Sequence, residues 1–392
     1  MSFFDKKIRM KLARSLFTKT SPLYVQYYIT ARCNMNCEQC NIIYAQADCP
    51  EMDIQKIRDT ARNLSKIGVC MVLLIGGEPF VRKDLPEIIK AFVDNGIHVR
   101  MQTNGLATEK MISDCVNAGG HDISISLDTL DEGVQDVING VPRSWERMIE
   151  SVSIVNRLFP DYGKGFFGTV LMPRNMEHII DVLEFATAIG WWVSLVPCHT
   201  TTLDTPLGFR TFDATGVCSF KDSDYPVLKR VLEALKESRR KGFNLYDCDE
   251  YIDDIYRFLT KQPIQWRRRN NNICDSPNLY FAIEPDGRIQ PCCDYKIDKD
   301  YFVYDENFPN MFRSGEIRDE ISKYTAKCMG CMYGSYPEIT LTARFLKPLM
   351  HRFKLFNTEK GNTLKRMSKE EMIKLAQDIY LKNRVRREGS VR

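Results

Sequence analysis

The chain reads as an α/β protein built on a parallel sheet, and three features of the sequence point there. Strand-like and helix-like patterns alternate six times between Tyr24 and about Pro197. Gly68, Gly96, Gly119 and Gly190 fall where the helices of that alternation should end, since glycine accepts the left-handed conformation of a helix C-cap. Beyond Cys274 the pattern changes to a cysteine-flanked hairpin, which marks a smaller second unit. Six βα-like units imply strands in parallel with helices wrapped around them. An open doubly wound sheet and part of a barrel both satisfy the pattern, and periodicity does not choose between them.

Taken in order, strands are expected at 24–29, 70–75, 97–102, 122–127, 166–172 and 192–196. Helices are expected near 52–67, 84–95, 108–118, 144–158 and 176–189, with Asp53 and Asp84 as N-terminal caps. Residues 200–222, rich in Thr, Asp and Gly, read as a connector or lid. Helical patterns follow near 224–241 and 249–261; Val227, Leu228, Val231, Leu232 and Leu235 give the first an ordinary packing stripe. Arg267 to Arg269 reads as a solvated basic face. Asn278 to Cys292 reads as a β-hairpin, with Asp286-Gly287 supplying a type I′ turn, and a helix is expected over 315–325. Near the N-terminus, Phe4, Ile8, Leu12 and Leu16 stand four apart among Lys and Arg, and residues 341–356 are likewise basic and apolar. Such segments can rest on an anionic membrane surface or pack on the protein body. Packing is the expected use, with peripheral membrane contact as the alternative. Ser368 to Lys382 reads as a charge-rich helix.

Composition narrows the class. With 392 residues, 44% hydrophobic and 27% charged, the chain can bury one large core and a smaller one. A net charge of +4 is too small to argue for a nucleic-acid partner. No apolar run approaches the ~18 residues of a membrane span, and no signal-peptide pattern opens the chain. Fourteen cysteines without a secretory signal suggest a cytoplasmic protein, if membrane-associated then at the inner face. Seven of the fourteen fall in ligand-like spacings, and the rest read as small buried residues.

The chemistry concentrates in Cys33, Cys37 and Cys40, three thiols within eight residues directly after the first strand. An iron–sulfur cube is held by cysteine thiolates at its iron corners. A C-x3-C-x2-C loop grips three, and Cys49 lies too far along to be an obvious fourth, so one iron stays open to a small ligand. A zinc knuckle would prefer paired C-x2-C units and a nearby His, and no His lies within fifty residues of Cys40. Val72 to Ile75 then runs into Gly76, Gly77, Glu78 and Pro79. Glycines there let the backbone approach a ligand closely, and proline fixes the exit of the turn.

A C-x3-C-x2-C loop followed by a strand-ending Gly-Gly-Glu-Pro turn resembles the radical S-adenosylmethionine (SAM) superfamily. The resemblance favours a partial (β/α)6 barrel over residues 23–205, after a basic segment at 1–22. It implies a 4Fe–4S cluster on Cys33, Cys37 and Cys40 that binds SAM through its free iron. One-electron reduction, by flavodoxin or ferredoxin, then gives a 5′-deoxyadenosyl radical that takes a hydrogen atom from substrate. It implies SAM contacts from Gly76, Gly77, Glu78 and Pro79. Strand-end segments carrying Thr103, Asn104, Ser126, Asp128 and Asn175 look like further SAM contacts, where ligands of such folds sit. His199 and Asp204 lie near the expected mouth and read as ordinary loop residues.

Cys274, Cys292 and the C-x2-C pair Cys328 and Cys331 make four soft ligands, suited to a 4Fe–4S cube or to zinc. Their arrangement resembles the auxiliary-cluster domains called SPASM and, when shortened, twitch. That implies one auxiliary 4Fe–4S cluster in a unit spanning 271–335, after a helical connector at 206–270 and before a basic tail at 336–392. Cys293 could substitute for Cys292, but the Gly287-x4-Cys292 spacing favours the latter. A fully ligated cluster accepts an electron, so a net oxidation or bond formation is expected, on a small-molecule, lipid or sugar-like substrate. A peptide-modifying enzyme is the alternative. A non-catalytic iron–sulfur carrier and a zinc-stapled binding protein are rivals of other classes.

Overall fold

The computed structural model describes residues 6–18, 20–40, 49–198, 216–266, 274–293, 295–328, 330–357 and 363–389. Eight strands form one sheet: β1 (Tyr24–Thr30), β2 (Met71–Gly76), β3 (His98–Thr103), β4 (Asp122–Ser126), β5 (Lys164–Leu171), β6 (Trp192–Pro197), β7 (Tyr280–Ile283) and β8 (Ile289–Gln290). Their order is β6-β5-β4-β3-β2-β1-β7-β8. The first six run parallel, each pair joined through helix, as a partial (β/α)6 barrel requires. The helices between them are α2 (Ile54–Ile67), α3 (Leu85–Asp94), α4 (Glu109–Asn117), α5 (Glu132–Asn139), α6 (Ser144–Leu158) and α7 (Ile179–Ile189), after an N-terminal α1 (Lys6–Thr18).

Side-chain alternation explains the layering, because successive strand residues point to opposite faces. Val25, Tyr27, Ile29, Val72, Leu74, Val99, Ile123, Ile125, Phe167 and Leu195 join the helices in one buried core. The intervening residues make a mixed inner face, with Gln26, Arg100, Gln102, Ser124, Ser126 and Ser194 set among Tyr24, Tyr28, Leu73, Ile75, Phe166 and Val196. A largely apolar wall carrying a few placed polar groups is the usual lining of a small-molecule site.

The hairpin does not stand apart. β7 pairs in parallel with β1, Tyr24 opposite Tyr280, so the expected second unit continues the barrel sheet. Its turn also differs from the expected type I′. Gly287 alone has positive φ (+94°), the Gly287 amide bonds to the Glu284 carbonyl at 2.9 Å, and Pro285 occupies the first central position. Proline's fixed φ suits that position of an ordinary turn followed by a left-handed glycine, and excludes the mirror-image turn.

The rest of the chain packs around the sheet edges and the outer helices. It comprises α8 (Tyr225–Arg240), α9 (Asp249–Leu259), α10 (Phe308–Ser314), α11 (Glu316–Thr325), α12 (Ser335–Arg344), α13 (Leu346–Asn357) and α14 (Lys369–Gly389). Tyr336 of α12 stacks on Tyr280 with ring centroids 4.4 Å apart. At the other edge, Asp247 accepts from the Leu195 amide at 2.7 Å, and the Tyr251 hydroxyl donates to the Leu195 carbonyl at 2.9 Å.

Asp53 caps α2 by accepting from the Lys56 amide at 2.8 Å, as expected. Asp84 precedes α3 but makes no cap bond; its carboxylate is held by Arg82 at 2.6 Å, a stronger charge-assisted partner. Gly96 and Gly119 sit one residue beyond the caps, which are Asn95 and Ala118. Of the N-terminal stripe, Leu12 and Leu16 pack on the core and Phe4 lies outside the described residues; beside the stripe Met10 and Phe17 stay exposed, as do Leu346, Met350 and Phe353 of α13. Among the described residues no helix is long and apolar enough to cross a membrane. His199, Asp204 and Arg267 to Arg269 lie outside the described residues.

The tail helix is clamped to the barrel. Arg387 reaches both oxygens of Asp181, at 2.9 and 2.8 Å, and Asn383 donates to the same carboxylate at 3.0 Å. Burial raises the Asp181 carboxyl to about 6, with Arg387 opposing. A raised carboxyl means the folded state holds its proton more tightly, so this group's contribution to stability falls as pH rises from about 4 through about 6. Arg387→Gln removes the cation that offsets the ionised form. Urea unfolding should show a loss of roughly 2 kcal/mol at pH 8, between the exposed-pair and buried-pair ranges, shrinking toward pH 5. An equal loss at both pH values would contradict the pairing.

Candidate active site

The cysteine loop leaves the end of β1 and is docked on two sides. On one, the Gly77 amide donates to the Thr30 carbonyl and the Glu78 amide to the Arg32 carbonyl, each at 2.8 Å. Only glycine permits this approach. A Cβ at Gly76 would lie 2.1 Å from the Thr30 oxygen, and one at Gly77 would lie 2.3 Å from the Arg32 oxygen. On the other side, the Asn36 and Glu38 amides bond to the Asn139 and Ile138 carbonyls at the end of α5, at 3.3 and 3.0 Å. There a Cβ at Gly140 would lie 2.5 Å from the Asn36 oxygen.

The thiols are handled as anions in waiting. Cys33 Sγ accepts from the Met35 amide at 3.4 Å and from Asn104 Nδ2 at 3.8 Å. Burial pushes the Cys37 thiol well up, and the nearby Cys40, Asp128 and Cys33 add to it. Burial likewise raises Cys33. Cys33 and Cys40 both disfavour ionisation of the Cys37 thiol, a repulsion that a positively charged metal group would relieve. Among the described residues no three Cys, His, Asp or Glu side chains enclose a single ion. Cys49 is engaged at the hairpin turn, with Asp286 and Arg288.

The strand-end residues divide by what they bind. Glu78 is buried and accepts from the Phe80 amide, the Thr103 hydroxyl and the Asn104 amide at 2.9, 2.9 and 2.6 Å. Burial raises its carboxyl to about 7 against those three donors. Its side chain therefore ties the β2 turn to the end of β3, while Thr103 also accepts from the Gly105 amide. Asn104 bridges onward to Asn34 at 2.7 Å, inside the cysteine loop. Asp128, raised to about 7 by burial, accepts from the Val170 amide at 2.7 Å. Asn175 spends both amide hydrogens on the Asp128 and Val170 carbonyls and accepts from the Met172 amide, each at 2.8 Å. These two hold strand ends together. Ser126, by contrast, is half-buried on the inner face, within 3.3 Å of Gln102 Nε2.

Two supports went unread in the sequence. Helix α5 is absent from the expected elements, although the Asp131 cap and the terminal Gly140 were there to find. Its Gln135 Oε1 receives the Asp128 and Thr129 amides at 2.8 and 3.0 Å, coupling β4 to the cysteine loop. Arg82 is buried and donates to the Ile29 and Met52 carbonyls at 2.9 and 3.1 Å, joining β1 to the entry of α2. No local pattern announces such a contact.

The second cysteine set lies along β7 and α12. Cys274 Sγ stands 3.3 Å from the Tyr280 hydroxyl, and its thiol is raised to about 11 by burial and by nearby Cys328. Cys328 Sγ accepts from the Gly330 amide at 3.3 Å, with Gly330 at φ +101°. Trp266 Nε1 donates to the Cys331 carbonyl at 2.9 Å. Cys292 packs with Cys274 against Leu279, Tyr280 and Tyr336, whereas Cys293 packs with Tyr28 and Ala282 on the lumen side.

A family model for the radical SAM superfamily matches residues 27–186. A probable GTP 3′,8-cyclase of Methanococcus aeolicus is 34% identical over 313 residues, covering 77% of this chain and 92% of that protein. The PqqA peptide cyclase of Bradyrhizobium diazoefficiens is 31% identical over 277 residues, covering 69% of this chain and 66% of the relative. An AdoMet-dependent heme synthase of Methanosarcina barkeri is 28% identical over 173 residues, covering 43% of this chain. The chain spans about half the length of several such relatives, 48% of that synthase. Among solved structures, Streptococcus suis SuiB bound to SAM superposes with a TM-score of 0.58 at 19% identity, covering 87% of this chain and 79% of SuiB. The anSMEcpe structure does so at 0.56 and 14%, covering 95% of this chain and all of that one. The protein belongs to the radical SAM superfamily, whose members use SAM and a 4Fe–4S cluster.

If the docking of the turn on the cysteine loop is what holds that cluster, Gly77→Ala should lose the iron of that cluster after anaerobic reconstitution, while any iron held elsewhere in the chain stays. Gly96→Ala, whose added Cβ meets nothing within 4 Å, should keep its iron at a cost of about 1 kcal/mol for the positive φ. Retention of that cluster's iron in Gly77→Ala would contradict the account.

Proposed function

We propose that Cys33, Cys37 and Cys40 hold a 4Fe–4S cluster with one iron left for SAM, and that Cys274, Cys292, Cys328 and Cys331 hold a second, fully ligated one. The observation that carries the first half is the paired docking of the loop, with Cys33 Sγ receiving an amide and Asn104. When bound, the SAM-cluster pair supplies a 5′-deoxyadenosyl radical that removes a hydrogen atom from substrate. The residues of this chain do the rest. The Gly76-to-Pro79 turn offers main-chain oxygens to the amino group of SAM. Ser126 faces the lumen, and Asp128, Asn175 and Gln135 keep the strand ends in register around it. Gln102, Ser124, Ser126 and Ser194 on the inner wall would offer hydrogen bonds to a small molecule, including a sugar-like one.

Cys274, Cys292, Cys328 and Cys331, in a SPASM- or twitch-like unit, would hold a second cluster able to serve as a one-electron acceptor, which would make the net reaction an oxidation or an oxidative bond formation. Flavodoxin or ferredoxin supplies the electron that starts each turnover. A peptide substrate is the second reading, favoured by the 31% likeness to PqqA peptide cyclase over 69% of this chain. Transfer of deuterium into deoxyadenosine from labelled pools of small polar molecules or of peptides separates the two.

Anaerobically reconstituted protein should carry about eight iron atoms per chain, falling to about four in Cys274→Ala/Cys328→Ala. That variant should still form deoxyadenosine from SAM and dithionite. Four irons in the unmodified protein, or stoichiometric zinc, would overturn the second cluster.

A further inference from the structure

Tyr280 occupies an unusual position for a buried phenol. It opens β7, is fully buried, is pinned by pairing with Tyr24 across the sheet, and is fixed in the plane of its ring by the stack on Tyr336. Its hydroxyl meets three partners: Cys274 Sγ at 3.3 Å, the Asp275 amide at 3.3 Å and Thr340 Oγ1 at 3.0 Å. A phenol has one hydrogen to donate and lone pairs to accept with. The Asp275 amide can only donate. A cysteine thiolate can only accept, and Thr340 can do either. One assignment satisfies all three when Cys274 is a metal-bound thiolate: Asp275 and Thr340 donate to the phenol oxygen, and the phenol hydrogen is directed at sulfur.

We propose that Tyr280 is a positioning residue for the second cluster, its hydroxyl donating to the Cys274 sulfur and setting the cluster's reduction potential. The inference rests on the assignment of Cys274 to that cluster. A hydrogen bond to a ligating sulfur stabilises the added electron, and such bonds are among the levers that set cluster potentials. The sheet pairing and the ring stack hold the donor in place, so no reorganisation is needed when the electron arrives. Tyr336 links this donor to the lumen, since it lies beside Tyr28 and Cys293 on the lumen side.

The test is an EPR-monitored redox titration of the reconstituted full chain. Tyr280→Phe keeps the ring and its stack but removes the donor. Its second cluster should become about tenfold harder to reduce, about 59 mV more negative for one electron, with the first cluster unmoved. Thr340→Val keeps the phenol hydrogen on sulfur and should leave the potential within about twofold. Incorporating 3,5-difluorotyrosine at position 280 strengthens the donor and should move the potential upward, which decides the matter if the Phe variant retains only one cluster. An unmoved potential in both the Phe and the difluorotyrosine proteins overturns the proposal. If the unmodified protein holds only four irons, it is the second cluster that fails, and the titration shows a single centre.

Discussion

Everything in the site depends on how closely one backbone can approach another. The turn after β2 lies against the carbonyls of Thr30, Ala31 and Arg32 at distances that leave no room for a side chain at Gly76 or Gly77. Two short amide–carbonyl bonds then fix the start of the cysteine loop to the strand that the turn terminates. Buried backbone groups must be paired, and here the pairing itself supplies the geometry. The loop is not a flexible tether bearing thiols. It is clamped between the β2 turn and the C-terminus of α5, with glycine at both points of contact.

The carboxylates around the loop follow the same logic. Glu78, Asp128 and Asp181 are all buried and all raised toward neutrality, yet each is surrounded by donors that favour the ionised form. Each joins segments distant in sequence: Glu78 the β2 turn to β3, Asp128 β4 to β5, and Asp181 the barrel to its tail. Buried charge-assisted bonds of this kind add little net stability but strongly favour one arrangement, because breaking one strands a charge. The strand ends at the mouth of the barrel are thereby tied together by side chains that lie outside the lumen wall.

Much of this was legible beforehand, and the boundary between what was and what was not has a physical cause. The six parallel strands appear within two residues of expectation, because glycines that end the preceding helices and alternating apolar residues set each short strand apart. The cysteine loop and the glycine turn were visible as spacing. What escaped notice depends on tertiary partners: Arg82 reaching the Ile29 and Met52 carbonyls, Asp84 turned from cap to ion pair, and Asn175 facing inward to brace two strands. The hairpin was legible as a hairpin, but not its attachment to β1, since strand pairing across more than two hundred residues leaves no periodic trace. Pro285 was present to argue against the mirror-image turn, and Asp131 with Gly140 to argue for α5.

The central claim is that the loop of Cys33, Cys37 and Cys40 leaves one iron of its cluster for SAM. Pulsed EPR of the reduced protein mixed with SAM carrying isotopically labelled methionine nitrogen and carboxylate tests it most directly. The account requires hyperfine coupling between those labels and the reduced cluster, lost when Cys37 is replaced by alanine. A cluster with four protein ligands and no coupling to labelled SAM would contradict it.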